Sequence, residues 1–507
     1  MTKNAKTVER HEKDHVFDPQ RWGLPPEAIS DLANRLRRIW FRFKDCFITK
    51  TRDTSQYAFM YMRGLLTMDT KRNYTNISHR VIDLEDDGQN LQHFMSDSPW
   101  SSQEVFHQIQ DEISFYSELK GGMLTLDESG DKRSGEDSAG TARQHIGRLG
   151  KVDMGQVGVV LGYYQLHTWA MVDAELYLPE AWFDDKHKKL RKRWHIPEER
   201  TFATKIQLGM EMIQRARDRG FDFEVLGCDT LYGRDSQFRA ELDSQNIHYM
   251  ADIPANIHVY LNKPLMGIPK RKPGKQGRTP SRLQVLNDVK PVDVSALAHD
   301  MPLTSVPIRY GERGLVEYDC VARQVWTVTE TGEVRQEWLF IRLEINGEFS
   351  FSLSNVPTNC SETNCFHLDT PLEKLAFWRC ERYFAERIFQ DAKTEAGWDE
   401  LAARKYRAWM HHTALDALAL WFIAQTKLDW SQQYPRDSEL ARQLEVVVLP
   451  ALSMANIREM LKAVLPLKQL SPQEAVQLVI KHLVNRSCST SSRMKSKGKT
   501  HKHFDDS

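Results

Sequence analysis

Two short apolar runs, each leading into an aspartate, constrain this chain most. Gly-Met-Leu-Thr-Leu precedes Asp127 and Phe-Glu-Val-Leu-Gly-Cys precedes Asp229, and glycine-containing turns follow at Ser129-Gly130 and Tyr232-Gly233. Runs of this kind read as buried strands. A carboxylate at the end of a buried strand is held rigidly and points into the crevice where open mixed sheets bind ligands. Between the two, VGVVLGYYQ and HTWAMVDAELYL read as further strands joined by a tight turn. FATKIQLGMEMIQRARDRG, from Phe202, reads as a helix with Ile206, Met210 and Ile213 on its apolar face and Gly220 as its C-cap. After Asp229 come a helix, DSQFRAELDSQ, and a last strand, IHYMADIP.

Three strands, a helix, a strand, a helix and a strand, with one carboxylate on the first strand and another after the fourth, is the element order of an RNase H-like α/β core. A third acidic segment, WRCERYFAERIFQDAK, carries Glu386, with Arg382 four residues before it and Lys393 seven after. On a helix an offset of four shares a face and seven residues is about two turns, so one stripe offers a carboxylate for metal and two cations for phosphate. Asp127, Asp229 and Glu386 are the acids a two-metal phosphodiester site needs. Taken singly, either aspartate also reads as a helix cap or turn former, and Arg382, Glu386 and Lys393 as an exposed ion-pair ladder. The combination carries the catalytic reading.

At these residues the chain resembles the DDE transposases of bacterial insertion sequences, in the cut-and-paste group with a Y-x-x-R-x-x-x-E-x-x-x-x-x-x-K signature. LTLDESG followed by SAGTARQHIGRLGKVDMGQVGVVLGYY resembles the first catalytic block of that group. LYLPEAWFDD, IPEERTFATK and CDTLYGRDSQFRAEL resemble the second, and ERYFAERIFQDAKTEAGWDEL with YRAWMHHTALDALALWFIA the third. Upstream, YMRGLLTMDTKRN and LQHFMSDSPWS resemble the amino-terminal region, so the similarity spans nearly the whole chain. The signature tyrosine is replaced by Arg379, a lesser candidate for phosphate contact by another donor. Glu128 follows Asp127 directly; Asp127 is favoured as the ligand because it ends the apolar strand. GDKRSGEDSAG is more acidic than the family pattern.

The resemblance implies an enzyme that binds the terminal inverted repeats of its element on double-stranded DNA and assembles as a homodimer on paired ends. It implies strand cleavage that releases a 3′-hydroxyl, then attack of that hydroxyl on target DNA. Asp127, Asp229 and Glu386 would ligate two metal ions roughly 3.5 to 4 Å apart, magnesium with manganese able to substitute, while Arg382 and Lys393 grip the scissile-strand phosphates. No covalent protein intermediate is needed, so no nucleophilic serine or cysteine is expected. Two rival readings are an RNase H-like nuclease without strand transfer and a catalytically silent DNA-binding protein derived from a transposase.

The 507 residues are enough for roughly three to five units of about 100 to 200 residues each, with a large core. A formal net charge of +0 excludes a general polycation, so DNA affinity must come from local basic stripes. These are KHKKLRKR at Lys186 to Arg193, KRKPGKQGR within Lys263 to Arg282, and RMKSKGKTHKH near the carboxyl end. Cys46, Cys228, Cys320, Cys360, Cys365, Cys380 and Cys488 are odd in number and scattered, which argues against a disulfide framework. Cys360, Cys365 and His367 lack a second ligand pair for zinc. ALDALALWFIA is too short to span a membrane and contains Asp416. With no secretory signal either, a cytoplasmic, nucleoid-associated protein is expected.

The expected organisation is a helical amino-terminal region at 1–115 with a role in DNA-end binding, core segments at 116–258 and 369–430, a β-rich insertion at 259–368, and carboxyl-terminal helices with a disordered tail at 431–507. RLRRIWFRF mixes basic and apolar residues, and Ser101-Ser102-Gln103-Glu104 opens a helix. The insertion reads as a strand meander with turns at Thr331-Gly332 and Asn346-Gly347. Trp326 and Trp338 are candidates for stacking on an extruded base, though burial in the insertion's core is the favoured reading for both. Ser471, Pro472 and Glu474 form a capping-box signature for the last helix.

Overall fold

Residues 26–119 are mainly helical, as their patterning predicts, and their charges point inward as well as out. Helix α1 (Leu32–Arg42) buries Leu32, Leu36 and Ile39, α2 (Ser55–Thr67) is buried over most of its length, and α3 (Ser102–Phe115) starts at Ser101, whose hydroxyl accepts from the Glu104 amide. Arg42 in RLRRIWFRF pairs with Glu112 of α3 and donates to Gln425, and Arg35 pairs with Asp429, so two of its cations are spent inside the protein. The chain, seen in a computed structural model, is described over residues 24–434 and 452–467, with breaks at 70, 84–85, 134, 271–280, 312–313, 357–370 and 402, and beyond these only at scattered residues from 471 to 491. Cys360, Cys365, His367, most of KRKPGKQGR and the basic carboxyl-terminal tail lie outside the described residues.

The run before Asp127 is the first half of a longer strand, β1 (Gly122–Lys132). The turn expected at Ser129-Gly130 does not form. After a short strand β2 (Ala142–Ile146), the long strand β3 (Lys151–Gln165) pairs antiparallel with β1 from Met123↔Tyr164 to Lys132↔Gly155 and carries it past Gly130. Leu166 and His167, at φ 48° and 60°, make the tight turn into β4 (Thr168–Leu176). Two positive φ values match a two-residue hairpin turn to the strand twist.

The basic run KHKKLRKR contains α4 (Lys188–Arg193). The next helix, α5 (Lys205–Asp218), begins with a full capping box between Thr204 and Gln207 and is closed by Gly220 at φ +74°. Its buried face is Leu208, Gly209, Met212, Ile213 and Ala216, while Ile206 and Met210 of the expected stripe are only half-buried. Gly209 sets this rotation: a Cβ there would lie 2.6 Å from Leu126 Cδ2, so α5 presses its bare backbone onto β1.

Strand β5 (Phe223–Cys228) runs parallel to β1, and β6 (His248–Ile253) parallel to β5, with α6 (Thr230–Gly233) and α7 (Ser236–Ser244) between them. The order β4-β3-β1-β5-β6, with only β3 antiparallel to its neighbours, is the RNase H-like core. The insertion supplies β7 (Thr304–Gly311), β8 (Gly314–Val328), β9 (Val334–Leu343) and β10 (Phe349–Ser354), an antiparallel meander with Gly332 and Gly347 at positive φ in the two predicted turns. It extends the core sheet instead of standing apart. β10 pairs with β6 from Phe351↔Ile253 to Ser354↔Met250, giving one ten-stranded sheet. A buried ion pair, Arg239 Nε to Glu337 Oε1 at 2.8 Å, bolts α7 to β9. Trp326 and Trp338 are half-buried, Trp338 against a small apolar cluster and Trp326 under Lys263 Nζ at 5.1 Å.

The last core segment holds α8 (Pro371–Glu381), α9 (Phe384–Asp391) and α10 (Tyr406–Gln433). ALDALALWFIA lies in the middle of α10, which packs on β4, α2 and α3 and is buried nearly throughout. No helix among the described residues is long and apolar enough to cross a membrane. Helix α11 (Met454–Val464) is capped by Ser453, and the Ser471–Glu474 capping box forms, with both reciprocal bonds present.

Candidate active site

The register of three adjacent parallel strands sets the geometry. Leu126 of β1 pairs with Cys228 of β5, and Cys228 with Ala251 of β6. The next residue along each strand is Asp127, Asp229 and Asp252. Successive side chains alternate between faces, so these three form a row on the face opposite Leu126 and α5. β5 stops there because Asp229 caps α6, its carboxylate accepting from the Leu231 amide at 2.9 Å.

Asp127 lies in a narrow crevice with Thr125, Val160, Gly162, Ala385, Ile388 and Phe389, and its Oδ1 accepts from the Glu128 amide at 2.7 Å. Glu128 starts from the opposite face, where Lys205 Nζ of α5 holds its Oε1 at 2.9 Å. Beyond Leu126 β1 has lost β5 as a neighbour, and all three carboxylates meet around that edge. One ligand oxygen each from Asp127, Glu128 and Asp229 lies within 4.8 Å of the others.

Like charges this close resist common ionisation. Burial first, then Asp229 and Glu128, push Asp127 up to about 8. Burial and then Glu128 push Asp229 up to about 6. An all-oxygen donor set whose members repel one another fits a hard divalent cation, which would relieve the repulsion. Asp127, Asp229 and Glu128 are the residues that would hold it.

Glu386 is not among the clustered carboxylates. It sits exposed in the first turn of α9, while its neighbours Ala385 and Ile388 face Asp127. The segment is not the straight helix its spacing assumes. Amide bonds from Ala385 to Arg382 and from Glu386 to Tyr383 tighten the entry to α9, and Ala392–Ala396 widens into a π-helical turn. Lys393, on that turn, donates to Ser129 Oγ at 2.7 Å and pairs with Asp131 at 3.4 Å, two and four residues along β1 from Asp127 and on the same face. Arg382 pairs through Nε with Asp252 Oδ2 at 2.8 Å, and Arg379 with Asp252 Oδ1 at 2.9 Å. Burial alone would lower the Arg382 pKa, but Asp252, then Asp127, Glu386 and Asp229 together outweigh it and raise it. Arg379 is lowered by burial, against the pull of Asp252.

Sequence reasoning named Glu128 only as an ambiguity and missed Lys205 and Asp252. Asp252 had a signal: it is the one charge inside the apolar run YMADI, at the end of the strand next to β5.

The RNase H-like sheet brings carboxylates from the end of β5 and the middle of β1 into one cluster that would suit a divalent cation. A family model described as DDE superfamily endonuclease matches residues 42–314, over half of the chain, and the chain belongs to that family. It is 31% identical over 206 residues to a protein of Microchaete diplosiphon described as a probable transposase for insertion sequence element IS701, covering 40% of this chain and 50% of that relative. The chain thus spans about half the length of the curated relative it matches. Among solved structures it is similar to the piggyBac transposase of a cryo-EM synaptic complex with hairpin DNA, at 11% identity and a TM-score of 0.36, covering 90% of this chain and 86% of that one.

Proposed function

We propose that the chain is the transposase of a bacterial insertion sequence, cutting its element's ends and joining them to target DNA with magnesium. The observation that carries this reading is the placement of Asp127 and Asp229 side by side on β1 and at the end of β5, with their carboxylates in joint reach of one cation. Family membership and the insertion-sequence relative support it.

Asp127, Asp229 and Glu128 would hold one ion, and Glu386, one residue from the Ala385 that lines the Asp127 crevice, would supply a further carboxylate from α9 by turning in toward a second. Divalent ions bound there supply activation of the attacking oxygen and stabilisation of the leaving one in an in-line displacement at phosphorus. Arg382 and Lys393 flank the carboxylates from opposite ends, Arg382 over β5 and Lys393 beside Ser129, and grip the phosphates on either side of the scissile one. Arg379 supports that grip. The exposed Lys186, Lys188, Lys189, Lys192 and Arg193 of the α4 region take the flanking duplex, with the amino-terminal helices, in a homodimer on paired ends.

The test is cleavage and strand transfer of labelled ends carrying the element's terminal repeats, in magnesium. Wild type should cut and join; Asp229→Ala and Glu386→Ala should bind ends nearly as well and do neither. Cleavage without joining by wild type would favour a nuclease. Full cleavage by Asp229→Ala would refute the site.

A further inference from the structure

We propose that Asp252 is a positioning residue that holds the Arg382 guanidinium off the Asp127 and Asp229 carboxylates, keeping them open to a divalent cation. This rests on the reading of those two carboxylates as metal ligands.

Asp252 occupies the third place in the row Asp127, Asp229, Asp252, is 7% exposed, and lies outside the carboxylate cluster. It is fixed from two sides. Ser352 of β10, its register partner, donates its hydroxyl to Oδ1 at 2.7 Å, and Arg379 and Arg382 pair with its two oxygens at 2.9 and 2.8 Å. The Arg382 stem crosses β5 directly over Gly227, where a Cβ would lie 3.1 Å from its Cγ, so the side chain has one lane to follow. Along that lane Asp252 stands on one side and the clustered carboxylates on the other, and both attract it: Asp252, Asp127, Glu386 and Asp229 each favour its charge.

A guanidinium and a divalent cation compete for the same carboxylate oxygens, and a buried site magnifies that competition. With the Asp252 carboxylate in place, Arg382 is engaged through Nε on the β6 side, and the metal ligands stay clear. With that carboxylate removed, the remaining anions near Arg382 are Asp127, Glu386 and Asp229. The insertion thereby contributes to the site, because β10 anchors Asp252 through Ser352.

The experiment is titration of the full chain with Mn²⁺ alone, following free Mn²⁺ by electron paramagnetic resonance. Asp252→Asn should weaken Mn²⁺ binding about tenfold, because Arg382 swings onto the ligands. Removing that cation in the double variant Asp252→Asn/Arg382→Gln should restore the affinity, which loss of packing around Asp252 would not do. Asp252→Asn binding Mn²⁺ like wild type, or a double variant as weak as the single one, overturns the inference. If Asp252→Asn does not fold, Ser352→Ala, which removes the hydroxyl that anchors Asp252, decides: about threefold weaker Mn²⁺ binding supports the inference, and unchanged affinity overturns it. Asp229→Asn separates the two levels. If it loses Mn²⁺ while Asp252→Asn does not, this inference fails and the metal site stands; if Asp229→Asn binds normally, the metal site itself is wrong and the inference falls with it.

Discussion

Replacing Asp127 with asparagine should stabilise the metal-free protein, by an amount that grows with pH. Asp127 is pushed from 3.8 up to about 8 by burial, Asp229 and Glu128. Below about pH 4 the carboxyl is protonated whether the chain is folded or not, and it costs nothing. As pH rises through the interval up to about 8, the unfolded chain ionises freely while the folded one resists, so stability falls throughout that window and levels off above it. Between 3.8 and pH 7 lie roughly 3 pKa units, on the order of 4 kcal/mol at about 1.4 kcal/mol per unit. Asparagine removes the charge and leaves Asp229 and Glu128 facing each other, so we expect about 1 to 2 kcal/mol of that to return as stability near pH 8. Urea unfolding of both proteins in EDTA, from pH 4.5 to 8.5, reads the difference. Saturating Mn²⁺ should reverse the ranking by stabilising wild type alone. An Asp127→Asn protein less stable than wild type at pH 8 without metal, or a gain independent of pH, would refute the reasoning.

Gly227→Ala should place a Cβ 3.0 Å from Met123 Sδ and 3.1 Å from Arg382 Cγ, displacing the arginine; we expect about 1 to 2 kcal/mol lost in urea unfolding and a tenfold or greater loss of end cleavage. Glu337→Ala should strand the buried Arg239 charge and cost about 3 to 5 kcal/mol, read as a lowered unfolding midpoint, with Mn²⁺ affinity of the folded protein unchanged.

The order of the core elements was legible because each strand is a short apolar run bounded by turn residues, and because the parallel strands ending at Cys228 and Ile253 are buried on both faces. What periodicity does not encode is pairing. Nothing local in LTLDESG says that β1 outlives β5, since the length of β1 is set by β3, which pairs with it from Lys132↔Gly155 onward across the intervening turns and strand β2. For the same reason the insertion's meander was readable while its fusion to β6 was not: Ser354↔Met250 is a contact between segments about a hundred residues apart. In the sequence Asp127 is favoured over Glu128 because it ends the apolar run, and in the structure alternation starts Glu128 on the opposite face. Only the open edge beyond Leu126 lets it join Asp127. The stripe of Arg382, Glu386 and Lys393 assumed an ideal helix, and the tightened and widened turns around α9 send the two cations to opposite ends of the acidic cluster.

The central claim is that Asp127 and Asp229 jointly bind a catalytic divalent cation. Crystals soaked in Mn²⁺ and measured at the manganese absorption edge test it most directly. An anomalous peak in coordination distance of both carboxylates, lost in Asp229→Asn crystals, is the expected result. A peak elsewhere on the protein, with these two carboxylates bare, would contradict it.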